Sequence, residues 1–140
     1  MKIEFHYDIE GFRLKKSRKI KRIILKIITD SGKKPGTVEV IFTTDRKVLE
    51  INREFLDHDY LTDIITFDYC EGKVINGEIY ISTERVRENA GSLHVTLKSE
   101  ISRVIFHGFL HLCGYKDGSE QERSEMTERE EMYLALAEAE

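Results

Sequence analysis

The sequence predicts an α/β (α+β) fold: one domain with a small mixed four-stranded sheet packed against helices. Three observations predict it. Four short segments read as strands, the first by period-two alternation and IITFDY as a near-continuous apolar run, and five others read as helices from their apolar spacing and caps. Their order is strand, helix, strand, helix, strand, strand, then three helices, which suits a single sheet with helices laid on it. At 140 residues, with no linker, internal repeat or break in composition, residues 1–140 read as one domain, large enough to bury a core.

Each element has a local reason. In residues 2–8, Ile3, Phe5 and Tyr7 fall on one side and Lys2, Glu4 and His6 on the other, a half-buried strand. From Leu14 to Ile28, the residues Ile20, Ile23, Ile24, Ile27 and Ile28 follow helical spacing, and Gly32 stops the helix. Pro35 and Gly36 predict a turn before a strand over 37–43. Asp45 is the expected N-cap of a helix to about Phe55. A polar loop over 57–63 then leads into the strand IITFDY, and GEIYIS (77–82) is the fourth strand. Ser82 or Thr83 caps a short helix ending near Gly91. Thr96 starts a longer one that runs to Cys113 and is closed by Gly114. Ser119 with Glu122 forms a capping box for a last helix to about residue 138.

Composition sets the broad class. Hydrophobic residues make up 40% and charged residues 34%, ordinary for a soluble globular protein. No stretch is apolar for the ~20 residues of a membrane span, and the alternating N-terminus reads as a strand, not as a signal peptide. The 2 cysteines, Cys70 and Cys113, form no CxxC pair. Free thiols in a reducing, cytoplasmic setting are therefore expected. The net charge of −4 hides an asymmetry: residues 11–34 hold ten Lys or Arg and one acid, whereas residues 119–140 hold eight Glu and two Arg. The basic run is either a docking face for a polyanion or the solvated side of an amphipathic helix.

The informative segment is HGFLHLCGYKDGSE, residues 107–120. His107 and His111 stand four apart, so both imidazoles project from one helix face, one turn apart. Gly114 can end the helix and turn the chain back, returning Asp117 as a third donor. Two His and one carboxylate, with a position left open for water, is one form of catalytic zinc site. The plainer alternative is a pair of core histidines. Their neighbours Val104, Ile105, Phe106, Phe109, Leu110 and Leu112 are apolar, however, and two imidazoles among them need partners for their ring nitrogens. Glu100 and Arg103 share roughly the same face, where they either orient the donors or pair with each other on the surface. The pattern H-x-x-x-H-x-x-G-x-x-D resembles the zincin metallopeptidase helix, H-E-x-x-H-x-x-G-x-x-H. The glutamate that serves those enzymes as general base is Gly108 here, which points to a metal hydrolase other than a peptidase.

HGFLHLCGY resembles the H-G-x-L-H-L-x-G-Y signature of the YbeY family of metal-dependent single-strand endoribonucleases. The likeness extends through INREFLDHDYLTDIITFDY (51–69), GEIYIS and the glutamate-rich tail around Met126. It implies hydrolysis of phosphodiesters in single-stranded RNA, in rRNA (16S 3′ end) maturation and ribosome quality control. Its implied partners are single-stranded RNA, rRNA and the ribosome, with no membrane. A monomer is compatible with the sequence. The implied cofactor is one Zn²⁺ ion, with other divalent metals possible, held by His107, His111 and, in place of a third histidine, Asp117. The family's arginine and proline fall on Leu56 and Leu61, and the acidic residue before the third ligand is Lys116. Arg53 and Lys116, and also His58, are the candidates for the missing cation; each reads equally well as an exposed charge. Thr62 and Asp63 are expected to shape the loop beside the site. Two rival functions remain, a ribosome-assembly binding factor with a structural metal and a zinc metallopeptidase.

Overall fold

Alternation decides which side chains each strand buries. In β2 (Lys34–Thr43), Val38, Val40 and Phe42 are fully buried while their neighbours reach the surface or a second, thinner layer. The computed structural model describes residues 2–139. Around β2 it arranges β1 (Lys2–Tyr7), α1 (Ser17–Asp30), α2 (Asp45–Leu56), β3 (Ile64–Asp68), β4 (Val74–Ser82), α3 (Thr83–Leu93), α4 (Leu97–Leu112) and α5 (Glu120–Glu138). The sheet order is β1-β2-β4-β3. β1 and β4 run parallel to β2, and β3 is antiparallel to β4. The sheet is thus mixed and four-stranded, as the sequence predicts.

The two faces differ in depth. Ile79 and Ile81 of β4 join Val38, Val40 and Phe42 against Ile24, Ile27 and Ile28 of α1 and Ile105, Phe106 and Phe109 of α4. Burying each such side chain contributes roughly 1.5–3 kcal/mol. Among the described residues, the opposite face is covered by α2 alone, whose Val48 and Ile51 pack on Ile65, with Phe67 and Tyr80 at the margin. α4 is the central helix: it packs on α1, α3, α5, β3 and β4. Gly108 lets it lie directly on the sheet, because a Cβ there would stand 2.9 Å from Ile64 Cδ1 and 3.1 Å from Ile79 Cδ1.

Several boundaries differ from those expected. α1 begins at Ser17, leaving residues 8–16 as an irregular connection. β2 takes in Pro35 and Gly36, and the expected turn is instead a register shift between Pro35 and Val38. A Pro without an N–H is tolerated at such an irregularity. β4 starts three residues early, at Val74. The N-cap of α2 is Thr44, whose hydroxyl accepts from the Lys47 amide at 3.1 Å, and not Asp45. The Asp45 carboxylate instead takes the Ser82 hydroxyl at 2.7 Å and the Arg85 guanidinium at 2.8 Å. α3 runs past Gly91 to Leu93 and closes at His94, in the left-handed region. The caps at Ser82, Thr96 and Ser119 are as expected, the last with its full capping box. Both cysteines are free thiols. No helix among the described residues is long and apolar enough to cross a membrane.

Candidate metal centre

The helical repeat of α4 sets His107 and His111 side by side, ring centroids 4.6 Å apart and nearly perpendicular. The helix stops where Gly114 adopts φ 103°, a conformation glycine takes without strain. The amides of Gly114 and Tyr115 then close on the carbonyls of His111 and Leu110, both at 3.0 Å. This turn sends the chain back along the helix end and brings in Asp117. Its Oδ2 lies 3.2 Å from His111 Nε2 and 3.6 Å from His107 Nε2. The return is anchored by the start of α5, where Arg123 Nη1 donates to the carbonyls of Asp117 (3.5 Å) and Gly118 (3.4 Å). One donor atom from each of His107, His111 and Asp117 falls within 4.8 Å of the others. Among the described residues one other group meets that test, Glu4, His6 and Glu39. It sits on the surface of β1 and β2, where Lys2 already pairs with Glu4 at 2.9 Å.

Behind the donors lies a buried polar array. His107 Nδ1 is hydrogen-bonded to Glu130 of α5. Arg103 Nη1 donates to Glu130 at 3.0 Å, and its Nε and Nη2 grip Glu100 at 2.8 and 2.6 Å. Glu100 and Glu130 are only 2% and 4% exposed. The hydrogen bonds to Glu100, with both carboxylates close by, hold the Arg103 pKa above its ordinary value. Glu100 and Arg103 do pair with each other, but not on the surface as expected: Glu100 is buried, and the pair is linked through Glu130 to His107.

The histidines open into a groove of about 560 Å³ between α4, β3, the end of α2 and the 57–63 connection. Asn52, 1% exposed, ties that connection down: its Nδ2 donates to the Tyr60 carbonyl at 2.9 Å, and its own carbonyl accepts from the His58 amide at 3.0 Å. Thr62 and Asp63 shape the loop as expected, through Thr62 Oγ1 to the Ile64 carbonyl (3.3 Å) and the Ser82 amide to the Asp63 carbonyl (2.9 Å). Burial pushes the Asp63 carboxyl pKa up, opposed by the charges of Arg103 and His107. His58 lines the groove, its ring stacked on Tyr60. Leu56, at the expected arginine position, lines it too. Arg53 and Lys116 are not among the groove-lining side chains: Arg53 is exposed and paired with Asp59, and Lys116 is exposed in the turn after α4.

Two residues escaped the sequence reading, Asn52 and Glu130. Nothing in the pattern around Asn52 singles it out. Glu130 did leave a signal: Met126, Glu130, Tyr133 and Ala137 are the buried positions of α5, spaced by four, three and four. A carboxylate therefore stands in the helix's apolar stripe, where it needs a partner.

Two imidazoles and a carboxylate lining an open groove, on a helix laid across a small mixed sheet, are a donor set that could hold one metal ion, the arrangement of single-metal hydrolases. Comparison with known proteins makes the class specific. A family model described as Endoribonuclease YbeY matches residues 5–138. An Endoribonuclease YbeY of Parabacteroides distasonis is 50% identical over 75% of this chain and 74% of its own length. One from Bacteroides thetaiotaomicron is 42% identical over 93% and 96%, respectively. The solution structure of a Thermotoga maritima protein superposes with a TM-score of 0.69 at 30% identity, covering 96% of this chain and 87% of that one. The chain belongs to the YbeY endoribonuclease family.

Proposed function

We propose that the chain is a metal-dependent, single-strand-specific endoribonuclease, a cytoplasmic hydrolase acting on ribosomal RNA at the 16S 3′ end and in ribosome quality control. His107, His111 and Asp117 hold one divalent ion, Zn²⁺ in the first instance. The observation that carries this reading is the convergence of His107 Nε2 and His111 Nε2 on Asp117 Oδ2, at 3.6 and 3.2 Å. The donor chemistry fits: two nitrogens and one carboxylate oxygen suit zinc, and the carboxylate also suits harder ions such as Mn²⁺. When bound, such an ion supplies Lewis acidity toward a phosphodiester oxygen and activates water.

The rest falls to the chain's own residues. The Asn52–Tyr60 bond holds the groove wall in place, so a strand laid in the groove meets a preset surface. His58 and Tyr60 offer stacked rings at the rim, and ring stacking favours unpaired bases over a duplex. His58 is the expected cation candidate that lines the groove; Arg53 reaches substrate by releasing Asp59, and Lys116 by swinging in from the turn. The basic residues of 13–26 add a salt-sensitive attraction for the RNA backbone. A peptidase is opposed by Gly108, which faces Ile64 and Ile79, so a side chain there would enter the sheet and not the groove. A purely structural metal is opposed by a set of three donors beside an open groove, since closed structural sites use four.

The test compares zinc-loaded protein, zinc-stripped protein and His111→Ala on single-stranded RNA and on casein. RNA cleavage is expected only from the loaded wild type, and casein should stay intact throughout. Cleavage at the native rate by His111→Ala would sink the proposal.

A further inference from the structure

Behind His107 two buried carboxylates, Glu100 and Glu130, share one guanidinium, Arg103, through hydrogen bonds of 2.6–3.0 Å. A carboxylate is costly to bury without partners, and Glu130 has two, Arg103 on one side and His107 on the other. With Nδ1 bonded to Glu130, the His107 ring is held at its back, and Nε2 is the nitrogen left facing Asp117 and the groove. Glu130 is in turn fixed by Arg103, whose other edge is clamped by Glu100. The order of contacts is thus Glu100, Arg103, Glu130, His107, running from α4 across to α5 and back.

We infer that Glu130 is a positioning residue: it accepts the Nδ1 proton of His107, fixes the tautomer that leaves Nε2 free as a donor, and makes the acidic C-terminal helix part of the metal centre. This rests on the reading of His107 as a ligand. A carboxylate behind a coordinating imidazole raises its basicity and restrains its rotation, and removing such a partner typically weakens metal binding about 10–100-fold. The same contacts give α5 a function beyond covering the core. Its buried stripe carries Glu130 between Met126 and Tyr133, so the helix cannot shift by one residue without withdrawing that carboxylate.

The experiment has two readouts on full-length protein. The first is Zn²⁺ affinity by competition with a chromophoric chelator, for wild type, Glu130→Gln and Glu130→Asp. The second is the imidazole tautomer of His107 by long-range proton–nitrogen NMR on zinc-free protein, at about pH 8.5 where ordinary imidazoles are neutral. Wild type is expected to show the Nδ1–H form. Glu130→Gln should bind Zn²⁺ about 10–100-fold more weakly and lose that tautomer preference, since an amide can present its NH₂ to Nδ1. Glu130→Asp, which keeps the charge, should recover part of the affinity. A folded Glu130→Gln protein with wild-type Zn²⁺ affinity overturns the inference. So does a wild-type His107 in the Nε2–H form, an outcome that depends on no variant folding. Wild type that takes up no Zn²⁺ overturns the metal centre itself, and this inference with it.

Discussion

Gly108→Ala separates two reasons for having glycine beside the first histidine. In the middle of a helix, alanine is favoured over glycine by about 1 kcal/mol, so a glycine tolerated only for want of selection would give a stabilising variant. The structure predicts the reverse. The new methyl would lie 2.9 Å from Ile64 Cδ1, 3.1 Å from Ile79 Cδ1 and 3.4 Å from Ile79 Cγ2. Ile64 is partly exposed and can swing aside, but Ile79 is 0% exposed and packed in the main core cluster. Overpacking of this kind costs about 1–3 kcal/mol. After the helical gain is subtracted, Gly108→Ala should be less stable by about 1 kcal/mol. In urea unfolding this lowers the midpoint by about 0.5 M at an unchanged slope, given slopes of about 1–3 kcal/mol/M for small proteins. A midpoint raised by the full helical gain would refute the close approach of α4 to the sheet. Gly108→Glu, which restores the peptidase motif, should lose several kcal/mol by forcing a carboxylate into the sheet and should gain no activity on casein.

Tyr133 is 1% exposed and its hydroxyl donates to Asp30 at 2.8 Å, tying α5 to the end of α1. Tyr133→Phe should therefore cost about 1–2 kcal/mol, read as a lower thermal midpoint with cleavage rates retained. Burial, reinforced by the hydrogen bond to Asp68, pushes the Cys70 thiol pKa up to about 11. Alkylation of the folded protein at about pH 8 should be slower than for an ordinary cysteine with a pKa near 8.5, and should accelerate as pH rises toward 11. The unfolded thiol ionises first, so between about pH 9 and 11 the unfolded state holds fewer protons than the native one, and stability must fall as pH rises. A Cys70→Ala variant should lack that component of the alkaline decline. An identical alkaline profile would contradict the burial of the thiol.

Much of the fold was legible because it rests on periodicity. The period-two residues of β2 and the isoleucines of α1 are the ones found buried. The errors fell where tertiary contacts outweigh local preference. Pro35 reads as a turn, but a bulge against β4 lets the strand absorb it. Asp45 reads as a cap, but Ser82 and Arg85, both distant in sequence, claim its carboxylate. In the site, the spacing of His107, His111, Gly114 and Asp117 is local and could be read directly. Asn52 and Glu130 act through the loop at Tyr60 and through a helix crossing, neither of which has a local signature.

In the proposed centre, Asp117 adds a carboxylate to a set already acidic through Glu100, Glu130 and Asp63, against the one guanidinium of Arg103. A divalent cation among these groups relieves like-charge repulsion, and a neutral histidine at position 117 would leave less of it to relieve. Adding Zn²⁺ to stripped protein should therefore raise the thermal midpoint. Simple linkage gives about 2.7 kcal/mol at a free concentration of 100 times the dissociation constant. Mg²⁺, which binds poorly to imidazole nitrogen, should stabilise far less at the same concentration. Equal stabilisation by Mg²⁺ would mean that the histidines contribute no bonds and that the cluster acts through charge alone.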